Sequence, residues 1–188
     1  MNSMVVFDLE TTGLPKKNNG YTDIQAFPGI VSIAWAKIDS DTSCINEEDV
    51  RYLVVKPYGF RIENSRIHGI THEFACNTGS DICEVLQEFY KDVKTCDTIV
   101  AHNIKFDVPV VSSAFFKMGF GDIANEVFNK PRFCTMLHGK KLMDVRKFPK
   151  LTELCKFLFD EDFFGTQHHA KYDVLTTIRC FIEMMKSF

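Results

Sequence analysis

No Cys-x-x-Cys pair and no cysteine–histidine run with zinc spacing occurs in the 188 residues, which excludes the common structural zinc modules. The seven cysteines, at 44, 76, 83, 96, 134, 155 and 180, are odd in number and scattered. That is a pattern of reduced thiols, several of them expected in the core, and not of a disulfide scaffold. No apolar run is long enough to span a bilayer, so no membrane partner is expected. A secretory leader is not expected either, because the acidic FDLE arrives before any apolar h-region could form. A cytoplasmic protein is expected, or a nuclear one in a host with a nucleus. Positive charge is in short supply: 22 Lys and Arg stand against 25 Asp and Glu, for a net charge of −3, so no global polycation advertises nucleic acid. Repeats, low-complexity tracts and linkers are missing too, and the length suits one domain over 1–188.

What the chain does have is apolar substance. Hydrophobic residues make up 45% of it, with 18 Phe against one Trp, enough to fill a layered core. MVVFDLE, closed by TTG, has the β-branched run of a strand, and IVSIAWAKID and RYLVVKP follow as two more. The segment DTSCINEEDV between the latter two has hairpin-turn chemistry, so three consecutive antiparallel strands are expected. PKKNNGYTDIQAFPG is rich in Lys, Asn, Gly and Pro and is expected to be an exposed loop. SDICEVLQEFYKDVK then places Ile82, Val85, Leu86, Phe89 and Val93 at helical spacing, with Ser80 or Asp81 as N-cap. DTIVAHN is a short buried strand. FDVPVVSSAFFKMG is a helix in which Pro109 fits the first turn, with Gly119 as its stop. RFCTM is a last strand, LTELCKFLF a helix, and AKYDVLTTIRCFIEMMKSF a long closing helix. The expected class is α/β: a mixed sheet of three antiparallel strands followed by parallel strands, flanked by helices.

Three acidic motifs lie on this framework. Asp8-x-Glu10 sits on the first strand, HNIKFD places Asp107 just after a short strand, and HHAKYD places Asp173 early in the last helix. Each alone has an ordinary explanation. A D-x-E on a strand is commonly a solvent-facing edge, His102 suits a satisfied core histidine, and His168 and His169 suit loop residues capping a helix. Sheet geometry joins them, because strand ends and the helices that begin there converge on one crevice. Four carboxylates in that crevice would raise one another's pKa, and hard divalent cations with oxygen ligands relieve this. Two such ions about 3.5–4 Å apart suit in-line attack at phosphorus. A histidine on a neighbouring loop suits the base that takes a proton from the attacking water.

FDLETTGL, AHNIKFD and HHAKYD resemble the three exonuclease motifs of the DnaQ-like 3′→5′ exonuclease superfamily in its DEDDh branch, which has a ribonuclease H-like fold. The third motif there is H-x-A-x-x-D, matched by His168, Ala170 and Asp173. The resemblance runs from about Met4 to Phe181 and includes the IHGIT segment at Ile67 to Thr71 and the CTM after Phe133. It implies Asp8, Glu10, Asp107 and Asp173 as ligands of two Mg²⁺ ions, with Mn²⁺ able to substitute, and His168 as general base. It also implies that Thr11, Thr12 and Leu14 seat the terminal nucleotide, with Leu14 wedged against the last bases. Asn103 and Phe106 would shape the same pocket, although Phe106 equally suits the core. His68 has two readings, a substrate neighbour or a turn residue.

The implied activity is release of nucleoside 5′-monophosphates from single-stranded 3′ ends. DNA is favoured, because the motif forms look closer to proofreading members than to oligoribonucleases. An RNA 3′-end trimmer is the alternative, and an inactive nucleic-acid-binding scaffold a further one. The loop from Pro15 to Gly29 is longer than in compact proofreading members, which puts Lys16 and Lys17 within reach of the strand. The chain ends almost with its last helix, so a free-standing enzyme is expected, or one recruited to a replication, repair or processing complex by another surface. From Lys130 to Lys150 seven basic residues meet one acid, Asp144, and Lys140 and Lys141 are the centre of a candidate strand-binding rim. Reversing the charge of both should weaken turnover of long strands more than of dinucleotides. Equal loss on both substrates, measured as kcat/KM, would remove the rim.

Overall fold

The computed structural model describes residues 3–16, 20–162, 165 and 168–186. Lys17, named above for its reach, and the last two residues of the expected closing helix lie outside them. Five strands form one sheet: β1 (Ser3–Thr11), β2 (Ile30–Asp39), β3 (Arg51–Val54), β4 (Thr98–Ala101) and β5 (Arg132–Cys134), in the order β3-β2-β1-β4-β5. The first three pair antiparallel, while β4 pairs parallel with β1 and β5 parallel with β4. This is the expected mixed α/β sheet.

Strand alternation sorts β1 into two faces. Val5, Phe7 and Leu9 pack with Trp35, Leu86, Phe89 and Val108, against helices α3 (Ile82–Lys94) and α4 (Ile104–Lys117). Trp35 is fully buried there, its ring edge-on to Phe89, and its indole N–H donates to Asp92 Oδ2 at 2.8 Å. Met4 and Val6 face the other way, onto Val174, Ile178 and Phe181 of the closing helix, Ala170–Met185. Asp8 and Glu10 continue that second face, so the parity that buries Val6 also aims both carboxylates at the start of the closing helix.

Four short helices escape the sequence patterns: α1 (Ser65–His68), α2 (His72–Thr78), α5 (Gly121–Asn129) and α6 (Thr135–Leu142). They run from four to nine residues, and the two shortest have no room for a sustained apolar period. The structure stops β5 at Cys134 and begins α6 at Thr135, which shortens the expected RFCTM strand. Gly139 looks like a breaker, yet it lies inside α6 because a Cβ there would stand 2.8 Å from Leu154 of α7 (Leu151–Phe159). The closing helix is therefore α8. Helix α4 begins earlier than expected, at Ile104, so Pro109 occupies its second turn and not its first. The bond it cannot make would have gone to the carbonyl of Lys105, an exposed residue.

Gly79 joins α2 to the end of β3, where Ser80 N–H donates to the Val54 carbonyl and Lys56 N–H to the Ser80 carbonyl, each at 2.9 Å. A Cβ on Gly79 would lie 2.4 Å from the Ala75 carbonyl oxygen and 2.6 Å from Lys56 N. Both obstacles are backbone and cannot swing aside. Gly79→Ala should therefore cost about 1–3 kcal/mol in chemical denaturation, with no helix-propensity gain to offset it.

Candidate active site

Each acidic motif arrives by a different route. In the parallel pairing Val6 lies beside Val100, so the chain leaving β4 passes the level of Asp8 before it turns. Asn103 makes that turn in the left-handed region (φ 76°) and starts α4, which carries Asp107 in its first turn. The Asp107 carboxylate accepts from its own backbone N–H and from that of Leu9, which ties α4 to β1. Asp173 lies in the first turn of α8 and accepts from the backbone N–H of His168.

Carboxylate oxygens of Asp8, Glu10 and Asp173 lie within 4.8 Å of one another. Asp107 faces the same cleft, a space of about 440 Å³ also lined by Leu14, Asn103, Phe106 and His168. Burial raises the pKa of every one of the four, and repulsion from neighbouring carboxylates adds to it at Asp8, Glu10 and Asp107. Asp8 is held well above the carboxylate range by burial first and then by Asp107, Asp173 and Glu10. Glu10 is pushed up to about 8 by burial and Asp173, and Asp173 to about 7 by burial. Asp107 is raised by burial and by Glu10.

The two histidines of HHAKYD part company. His168 is exposed, takes a left-handed backbone (φ 60°) and lines the cleft. His169 turns inward, its ring 4.6 Å from Tyr52 and 5.2 Å from Tyr172. Thr11 and Thr12 use their hydroxyls in the turn: Thr11 Oγ1 donates to the Gly13 carbonyl at 2.7 Å, and Thr12 Oγ1 accepts from Gly29 N–H at 3.0 Å. Leu14 projects into solvent, 82% exposed. Phe106 serves both readings offered for it, lining the cleft and packing on the core. Lys140 and Lys141 do not line the cleft, and Lys140 lies over the Phe148 ring at 4.6 Å. Lys150, at the far end of the same basic stretch, does line it.

Sequence reasoning missed what holds the first motif in place. A register shift between Glu10 and Thr11 bends the end of β1. His68, 5% exposed, accepts the Ile70 N–H on Nδ1, so Nε2 carries its hydrogen and faces Asn64 Oδ1 at 3.3 Å. Asn64 Nδ2 then donates to the Thr11 carbonyl at 2.8 Å. His68 is thus a buried positioning residue, and nothing in the HGIT string distinguishes that from a turn. His102 is the satisfied core histidine: Nε2 faces the Pro149 carbonyl at 3.1 Å and Nδ1 the Thr135 hydroxyl at 3.0 Å. Burial brings its pKa down to about 4, so it is a neutral clamp on the segment that carries Lys150.

The exonuclease family model RNase T matches residues 5–181. The chain belongs to that family. With it come the DnaQ-like 3′→5′ exonuclease superfamily and the ribonuclease H-like fold. Among curated relatives, the DNA polymerase III PolC-type proteins of Halalkalibacterium halodurans and Bacillus subtilis are 29% and 28% identical over 187 and 183 residues. Those stretches are 98% and 97% of this chain but 11% of either relative, so the chain spans about a tenth of their length. Among solved structures, Escherichia coli exonuclease I in complex with a dA16 oligonucleotide superposes with a TM-score of 0.77 at 18% identity, over the whole chain and 41% of that one. Exonuclease X in complex with 5′ overhanging duplex DNA gives a TM-score of 0.62 at 24% identity, covering 98% of this chain and 92% of that one. No helix of the described residues is long and apolar enough to cross a membrane.

The raised carboxylates set the sign of a pH effect. A carboxyl whose folded pKa lies above its unfolded value contributes stability that is present at low pH and lost as pH rises through the folded value. For Glu10 and Asp173 that window runs from the ordinary 4.5 and 3.8 to about 8 and about 7. Without divalent cations, the thermal midpoint of Asp8→Asn should therefore exceed that of the native chain by a margin that grows from about pH 5 to about pH 8. Mg²⁺ should raise the native midpoint and leave the variant's nearly unchanged. A margin that shrinks with pH would show that the carboxylates do not repel.

Proposed function

We propose that this chain is a divalent-metal-dependent exonuclease that removes nucleoside 5′-monophosphates from the 3′ end of single-stranded nucleic acid, with DNA as the preferred substrate. The observation that carries the reading is the carboxylate group: three side chains from two distant elements within 4.8 Å, and a fourth in the same cleft. Such a set is an all-oxygen donor array with more negative charge than burial tolerates, which suits Mg²⁺, with Mn²⁺ as a substitute. Asp8, Glu10, Asp107 and Asp173 would hold two ions. When bound, these ions supply charge neutralisation and Lewis acidity at the scissile phosphate.

The chain's own groups divide the remaining work. His168, exposed at the cleft edge, takes the proton from the attacking water. The water oxygen bonds to phosphorus in line with the departing 3′ oxygen, the P–O3′ bond breaks, and the penultimate nucleotide keeps a new 3′-hydroxyl. Leu14 offers apolar surface to the terminal bases, Asn103 and Phe106 bound the pocket for the last nucleotide, and Thr11 and Thr12 shape the turn beneath it. Lys140 and Lys141 would act outside the cleft, as a rim for longer strands. The preference for DNA draws support from the relatives' names: the curated ones are DNA polymerases, and the structural neighbours are described in complex with DNA. The same names suggest work alongside replication or repair.

Matched DNA and RNA substrates, labelled at either end, single- and double-stranded, with and without Mg²⁺, test polarity, sugar and metal together. Faster release from RNA would make the chain an RNA 3′-end trimmer, and no release from any substrate would make it a binding scaffold. Asp8→Ala or Asp173→Ala should abolish turnover and leave the fold intact. His168→Ala should slow single-turnover hydrolysis by roughly 10²–10⁴-fold. His169→Ala should instead lower the thermal midpoint, through its contact with Tyr52, and leave the chemical step nearly unchanged. A reversal of the two histidine phenotypes would move the base by one residue.

A further inference from the structure

A second pocket of about 360 Å³ opens beside the carboxylate cleft, and Leu14 lines both. Its walls come from the turn after β1, the segment 24–30, the turn after β3 and the second half of α4. Three exposed lysines, Lys16, Lys56 and Lys117, line it, and none of its lining residues is Asp or Glu. In a chain with more acids than bases this is a local reversal of charge. Two rings stand among the lysines. Tyr58 is 66% exposed, an unusual position for a large aromatic surface. Phe60 lies against the bare backbone of Gly29, where a Cβ would meet the ring at 2.5 Å.

Three cations beside an exposed ring, Tyr58, with no carboxylate among the lining residues, match a single strand of nucleic acid, whose phosphates repeat along one edge while its bases stack. We propose that this pocket binds the substrate nucleotides on the 5′ side of the one being removed, a proposal that rests on the exonuclease reading above. Continuity with the cleft supports the direction, since a strand whose last nucleotide faces the carboxylates passes over Leu14 into the lysine pocket. A further cavity shares Asn103 and Phe106 with the cleft and Phe27 with the lysine pocket. Among its described lining residues Lys105 is the one cation, against three in the lysine pocket. Lys140 and Lys141 line neither pocket.

Binding decides it, measured by fluorescence anisotropy in EDTA with a labelled single-stranded octanucleotide and a labelled dinucleotide. Lys56→Ala/Lys117→Ala should weaken the octanucleotide about 10-fold, with the salt slope shallower by about 1.4, or roughly 0.7 for each phosphate that no longer meets a lysine. The dinucleotide should lose far less affinity. Tyr58→Ala should weaken the octanucleotide about 10-fold with the salt slope unchanged, because stacking releases no counterions. With Mg²⁺, hydrolysis of the p-nitrophenyl ester of thymidine 5′-monophosphate, which has no upstream nucleotide, should keep most of its rate in both variants. Unchanged octanucleotide affinity and slope in the double variant would overturn the proposal. So would equal weakening on both lengths, or displacement of the octanucleotide by polyglutamate at equal charge, which would mark the pocket as a docking place for an acidic protein. A native chain that hydrolyses nothing sinks the exonuclease reading, while the octanucleotide result still decides the pocket.

Discussion

The structure depends on an opposition between apolar packing and carboxylate repulsion at one end of the sheet. Val6 packs with Val174 and Ile178 between β1 and α8, while Val5, Phe7 and Leu9 seat the other face on α3 and α4. Burial at about 25 cal/mol per Å² makes both seams strongly favourable. They bury Asp8, Glu10 and Asp173 together with Asp107, and the raised pKa values record that burial first and the repulsion among the carboxylates second. A centre held in this way is preorganised for positive charge, because the fold has already brought the carboxylates together.

Around that centre the polar groups are chosen for rigidity. The His68–Asn64–Thr11 chain of hydrogen bonds pins the bulge at the end of β1, and a bulge there sets where Glu10 points. His102, neutral and bonded on both ring nitrogens, clamps the segment before α7 to the end of β4. Neither histidine is available for proton transfer. Of the histidines in or beside the motifs, only His168 pairs exposure with a place in the cleft. Its left-handed backbone separates it from His169 and lets the pair face opposite ways.

Charge is distributed to match. Four carboxylates line the cleft, and basic side chains border it in separate places: Lys150 on one side, and Lys16, Lys56 and Lys117 beyond Leu14. Under the function proposed above, a strand drawn toward the lysines would be delivered to the carboxylates, which by themselves would repel it.

Much of this was legible in the residues. Strand parity put Asp8 and Glu10 on one face, the short strand before HNIKFD put Asp107 at the start of a helix, and the motif spacing put Asp173 early in the last one, because periodicity of 2 and 3.6 is a property of the local chain. The mixed sheet followed from the order of the elements. The helices α1, α2, α5 and α6 were not read from the residues: α1 and α2, of four and seven residues, are too brief to show a period, and Gly139 inside α6 reads as a breaker until Leu154 is seen against it. Nor could the string HGIT say that His68 is buried, or the run Lys130–Lys150 say which lysine reaches the cleft. The sequence by itself determined the donor chemistry and the faces on which it stands, because side-chain identity and alternation need no partner. Only the tertiary structure decided which histidine is free, which lysines border the cleft and how close the carboxylates come, because those depend on residues far apart in the chain packing against one another.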